Sequence, residues 1–317
     1  MARYLTSKTL IDSVIRRAML PLNQNTFSEA DLLAFANEEM DMGIIPYIMT
    51  FHEDYFMRSD ETLLQAGRST YPIPYRAMGN KLRDVAFRDG SSTIFEMTRV
   101  GVGDLPFYQF GGGGNVNGAG IRTFYIKNNE VCLLPEDMPD VHGWLRMSYY
   151  IRPNSLVSLS RIGTITNVDT TTGVITLDSI PTNFALSAQF DMLQTKSPHK
   201  CLAIDKTALA IDTVAKTITF DVADMPYDIA AGDYISLAEE CIIPQIPSDI
   251  HSMLAQRVAC RCLEALGDVA GLQAANAKLQ EMEQKGGSLL DDRVEDAPQK
   301  INNRHSFLKR YRTYFKR

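Results

Sequence analysis

Side chains capable of chemistry are scattered through this sequence rather than gathered into a constellation. His52-Glu53-Asp54 sets an imidazole beside two carboxylates, but the zinc-protease spacing H-E-x-x-H would need a second histidine at position 56, where Phe56 stands. Cys260-Arg261-Cys262 is not a metal-ligand spacing, and no second Cys or His pair lies near it in the chain, so core packing is the expected role. Glu38-Glu39 offers two acids of the kind glycosidases use, yet adjacent residues on a helix point about 100° apart. The run Gly111–Gly114 lacks the Lys-Ser/Thr of a phosphate loop and no buried strand leads into it. No G-x-S-x-G nucleophile elbow is present. The chain is therefore expected not to be an enzyme and to need no cofactor or metal.

The strongest signal is electrostatic. Gln299 to Arg317 reads QKINNRHSFLKRYRTYFKR, in which Lys300, Arg304, Lys309, Arg310, Arg312, Lys316 and Arg317 carry seven positive charges with no acid among them. The whole chain is formally −6, so the arm's +7 leaves −13 on the remainder. Such a segment cannot bury enough apolar surface alone to offset its ordering entropy, and it is expected to take shape on a partner. Phe307, Tyr311, Tyr314 and Phe315 recur near i, i+4 and i+7, the pattern of an amphipathic turn or helix laid into a protein groove. The acidic body disfavours diffuse attraction to nucleic acid.

Composition sets the frame. At 317 residues, 45% hydrophobic and 22% charged, the chain suits one large or two modest domains. No run of about 18 apolar residues offers a membrane span. Lys8, Asp12, Arg16 and Arg17 interrupt the apolar residues that a signal peptide would need. Five scattered cysteines (Cys132, Cys201, Cys241, Cys260 and Cys262) argue against a disulfide framework and for synthesis in a reducing cytoplasm.

The elements follow from periodicity. Leu10, Val14, Ala18 and their neighbours predict a helix over about 7–20, stopped by Pro21. Ser28, with Asp31 in the capping-box position, predicts a second helix that Pro46 interrupts. Residues 61–154 read as β-rich with long loops, including strands at 93–97, 123–127, 130–134 and 144–150. Residues 162–181 and 207–226 form a weak repeat of two strands around a turn, each followed by a similar third strand, at 188–193 and 231–237. That predicts a small barrel or sandwich over 155–243. Ser248 is then expected to cap a helix, Gly267 to break it, Asp268 to restart it, and Gly286-Gly287 to stop it. The predicted class is α+β: a helical bundle built from N-terminal helices (1–60) and a C-terminal hairpin (244–287). A large β-rich insertion, the small barrel or sandwich included, lies between them, and an extended tail (288–317) follows.

Three stretches together resemble the head-to-tail adaptor proteins of tailed bacteriophages, also called connector or head-completion proteins. They are RRAMLPLNQNTFSEADLLAFANEEM (16–40), IPQIPSDIHSMLAQRVACRCLEALGDVAGLQAANAKLQEME (243–283) and DDRVEDAPQKINNRHSFL (291–308). The resemblance implies a structural virion protein at the portal vertex, made in the host cytoplasm. It implies a ring of twelve copies that joins portal to tail and continues the DNA channel used in genome packaging and ejection. Its partners would be the portal protein, a tail tube or nozzle protein, further copies of itself, and passing double-stranded DNA bound without sequence specificity; no membrane is involved. Carried onto this sequence, the portal contacts are Asn302, Asn303, Arg304, Phe307, Leu308, Lys309, Arg310 and Tyr311. The double β unit departs from the smallest members of the family, which carry little insertion. Loops 101–121 and 182–200 are candidates for reaching a neighbouring copy. Two alternatives remain open: a tail-associated peptidoglycan-degrading enzyme with Glu38 or Glu53 as acid, and a DNA-binding module using the basic tail.

Overall fold

The computed structural model of the chain describes residues 5–21, 26–105, 123–134, 142–196 and 199–290. Helix α1 (Ser7–Arg17) starts from a capping box in which Thr6 and Thr9 exchange side-chain-to-backbone hydrogen bonds. Helix α2 (Glu29–Glu39) opens on the capping box expected from Ser28 and Asp31, with the Asp31 carboxylate accepting from the Ser28 N–H at 2.8 Å. Pro46 has no N–H to give to the turn before it, and the chain widens there into a π turn, Met40–Ile44, before α3 (Ile45–Phe51). Near the other end, a 3₁₀ turn over Ser248–Ile250 leads into α4 (His251–Leu266). Ser248 thus begins a turn and does not cap the helix; its hydroxyl lies 3.2 Å from His199 Nε2. Gly267, at φ 71°, closes α4, and Asp268 caps α5 (Val269–Leu289) by accepting from the Gly271 N–H. Gly286 and Gly287 do not stop α5, which runs through them. A Cβ on either would stand 3.0 or 3.1 Å from Tyr47 or Phe51, so these glycines let α3 approach closely.

The described strands form four sheets. One sheet has the order β1 (Met57–Leu63), β8 (Gly143–Ile151), β3 (Ala77–Asp89), β4 (Ile94–Glu96). A second has β2 (Thr70–Pro72), β7 (Glu130–Leu134), β6 (Thr123–Lys127), β5 (Thr98–Arg99). Tyr71, Phe87, Phe124, Leu133, Leu145 and Met147 share one core, the layer between these two sheets. A short parallel pair, β9 (Ser155–Leu156) and β17 (Glu240–Cys241), marks the entry to and exit from the third unit.

That unit is a seven-stranded sheet in the order β13 (Cys201–Thr207), β12 (Gln189–Leu193), β16 (Tyr234–Leu237), β10 (Gly163–Asp169), β11 (Val174–Leu177), β15 (Thr217–Thr219), β14 (Ala210–Asp212). Its outer strands β13 and β14 are joined by Ala208 and Leu209 alone, a link of about 11 Å at most, so the sheet must curl until its edges adjoin. The repeat is visible in the pairing. Val174 faces Thr219 and Thr176 faces Thr217, while Phe190 faces Leu237 and Leu193 faces Tyr234. Each pair maps onto the other when the two halves are exchanged, so the halves are related by an approximate two-fold axis. Ile165, Ile175, Leu177, Phe190, Ile218 and Ile235 fill the interior.

The helical bundle expected as the organising core is not what forms: the described residues are mainly β, in four sheets. The helices make a layer in which α1, α2 and α5 each pack on α4. Two physical reasons set the outcome. Tyr150, Leu156, Leu193 and Cys241 from the β region close the apolar stripes that a bundle would have buried against helices. And α5 is only laid along the layer, with Ala275 and Gly286 its only buried residues over 21 positions.

Candidate functional site

The most developed polar constellation lies where the two-sheet sandwich meets the curled seven-stranded unit. The turn after β2 carries Tyr75 and Arg76, and Arg76 reaches the carboxylate of Asp191 on β12 with two bonds, of 2.8 and 3.0 Å. Arg76 is 3% exposed and Asp191 0%. Asp191 also accepts from Asn154 Nδ2 at 2.5 Å, the Asp205 N–H at 3.0 Å and the Glu239 N–H at 3.1 Å. Every lone-pair direction of the carboxylate is thereby used. Arg76 donates further to Asp205, at 2.5 Å, and to Asn154, at 3.2 Å, while the Tyr75 hydroxyl donates to Asp205 at 2.7 Å. Burial alone would lower the Arg76 pKa, but the bonds and charge of Asp191, joined by Tyr75 and Asp205, raise it. With the carboxylate saturated and the guanidinium held by two acids, this constellation ties the two units together.

A second network ties the helical layer. Arg257 on α4 bonds Glu39 on α2 at 3.4 Å and Glu283 on α5, and Arg261 bonds Glu38 at 2.5 Å and Glu39 at 3.2 Å. Glu38 and Glu39 are thus clamps for two arginines. Glu53 accepts from the Tyr150 hydroxyl. Cys260 and Cys262 are buried in the helical core, where burial pushes the Cys262 thiol up to about 11. His52 caps the C-terminus of α3. His199 and His251 meet, with ring centroids 5.9 Å apart. His251 Nδ1 accepts from the Leu5 N–H at 2.9 Å and its Nε2 lies 3.2 Å from the Ile246 carbonyl, which fixes the neutral tautomer. Burial pushes its imidazole down to about 4.

Sequence reading missed the Arg76–Asp191 pair and the histidine pair. A lone charge in an alternating strand, such as Asp191 in AQFDML, was the only available signal. The eight residues expected to contact the portal, Asn302, Asn303, Arg304, Phe307, Leu308, Lys309, Arg310 and Tyr311, lie outside the described residues. So does most of loop 101–121, where residues 106–121 are undescribed. Among the described residues no group of three or more His, Cys, Asp and Glu is placed to hold a metal ion, and no helix is long and apolar enough to cross a membrane.

Comparison with known proteins adds little. No family model matches the chain, and no curated protein matches it. Among solved structures it shows a weak similarity to the backbone protein of pilus 2b from group B streptococcus, at 11% identity and a TM-score of 0.15, over 56% of this chain and 79% of that one.

Proposed function

We propose that the chain is a structural head-to-tail adaptor: a ring-forming virion protein that joins a portal to a tail, continues the DNA channel and is anchored by its basic–aromatic C-terminal arm. The observation that carries this reading is the launching point of the arm. Leu290, 4% exposed, is packed in the helical core together with residues of α1, α2 and α4, so the segment that follows leaves from a fixed position on the helical layer. That segment passes through the acids Asp291, Asp292, Glu295 and Asp296 before the charge reverses to +7. An arm of that composition, rooted on a rigid body of opposite net charge, is suited to coupled folding on a protein groove. The −13 on the remainder suits a wall past which DNA slides without adhering, since it gives phosphate no cationic grip.

Co-sedimentation with purified portal rings tests the reading. Full-length protein should sediment with portals, and a chain ending at Pro298 should not. Equal binding of the two would remove the arm from its role. Binding to duplex DNA with a steep salt slope, and none to portals, would assign the arm to phosphate instead.

A further inference from the structure

Where the 3₁₀ turn Glu53–Phe56 after α3, the sandwich and the curled β unit meet, the fold forms a half-open cavity of about 470 Å³ apart from the Arg76–Asp191 pair. Its walls are largely apolar, with Phe56, Met57, Ile151, Pro153 and Ile204 among them. The charged residues lining it are Arg58 and Lys200, with no carboxylate among the lining residues. Arg58 is held by Asp60 at 2.9 Å, but Lys200 reaches its acid, Asp228, only at 3.5 Å and keeps a 54% exposed side chain. The third feature is an unmet donor. Gln245 spends its carbonyl oxygen on the Asn154 N–H at 2.8 Å, while its Nε2 is buried without a hydrogen-bond partner among the described residues. A buried amide left unpaired is costly, so such a group is an argument for a missing acceptor.

Volume, apolar walls, a loosely paired lysine at the rim and an orphaned donor favour one ligand chemistry. We propose that this cavity binds a small amphipathic carboxylate, with its aryl or branched alkyl body against Phe56, Met57 and Ile204. The acid group then draws on the charge of Lys200 and on the Gln245 amide. A free organic acid and the C-terminal carboxylate of a polypeptide share this chemistry. The site does not depend on the adaptor reading, and loss of portal binding would leave it standing.

Calorimetric titration of the full chain with 4-phenylbutyrate, its primary amide and 4-phenylbutylamine separates the contributions. The acid should bind about tenfold more tightly than the amide, as expected for one charge-assisted bond, and the amine should not bind. N-acetylphenylalanine, a mimic of a chain terminus, binding more tightly than 4-phenylbutyrate would point to a polypeptide source, and the reverse order to a free acid. Ile204→Trp should fill the cavity and abolish binding. Lys200→Gln, at an exposed position that folding tolerates, should erase the preference for acid over amide. Cys201 also lines the cavity and is the only one of the five cysteines not fully buried, so bound acid should slow its labelling by a small thiol reagent. The absence of acid binding at millimolar concentration, equal affinity for all three probes, or binding unchanged by Ile204→Trp would overturn the proposal.

Discussion

Ile175 and Ile218 stand opposite each other across the β11–β15 ladder, both 0% exposed, at the point where the two halves of the repeat meet. Each is the other's counterpart under the approximate two-fold axis. The two side chains therefore occupy equivalent positions in one interior, and the core of the unit is built at its seam. Ile175→Ala and Ile218→Ala should each cost about 2–5 kcal/mol. Because they share one cavity, the double variant should depart from the sum of the singles by more than about 0.5 kcal/mol in urea denaturation.

The same symmetry makes an unequal pair of hairpin tips. Gly173 at φ 72° and Lys216 at φ 56° both take the left-handed conformation that closes their turns. A Cβ on Gly173 would stand 2.2 Å from the Phe220 carbonyl oxygen, so Gly173→Ala should destabilise by more than the roughly 1–2 kcal/mol of the backbone term alone. Lys216→Gly relieves that backbone cost but gives up the 2.9 Å bond from Lys216 Nζ to the Asp178 carbonyl. With that bond at an exposed site, the net change should lie within about 1 kcal/mol of zero. Thermal melts of the two variants report the contrast.

Arg76→Ala leaves Asp191 buried and short of two bonds, and should cost about 3–5 kcal/mol. Replacing both partners by apolar residues of similar volume should recover part of that loss, since the uncompensated charge is gone. Equilibrium denaturation of the single and double variants is the check. Equal losses in both would mean that packing, not charge, is what the pair contributes.

His251 gives a pH dependence with a defined sign. The imidazole titrates near 6.5 when unfolded and near 4 when folded, because burial opposes its charge and its Nδ1 is committed to the Leu5 N–H. Between these values the unfolded chain binds more protons, so stability rises with pH and is lost as pH falls from 6.5 toward 4. The full window is worth about 3 kcal/mol. His199, at 5.9 Å, disfavours the charge further, and Asp249 favours it slightly. The stability difference between the native chain and His251→Gln, measured from pH 7 to pH 4, isolates this contribution from the carboxylates.

What was legible in the sequence was local. Ser28 with Asp31, Gly267 with Asp268, and the strands Thr123–Lys127 and Glu130–Leu134 lie where capping chemistry and alternation put them. The repeated three-strand pattern was legible as well, because two copies of one period are hard to hide. What was not legible depends on partners far along the chain. Arg76 and Asp191 are 115 residues apart, and nothing near either one announces the other. The apolar stripes of α1, α2 and α4 state that a face is buried but not by what. Strand residues such as Tyr150, Leu156 and Cys241 supply part of the cover, which is why a helical bundle was the wrong inference. Gly286-Gly287 misled for a similar reason: a pair of glycines reads as a stop until Tyr47 and Phe51 are seen packed against it.

Electron microscopy of the protein bound to its cognate portal tests the central proposal most directly. A closed ring beneath the portal is expected, with density that continues from the end of α5 and carries residues 300–317 into a groove of the portal. A ring lacking that density, or portals left bare by protein that still binds duplex DNA in low salt, would contradict it.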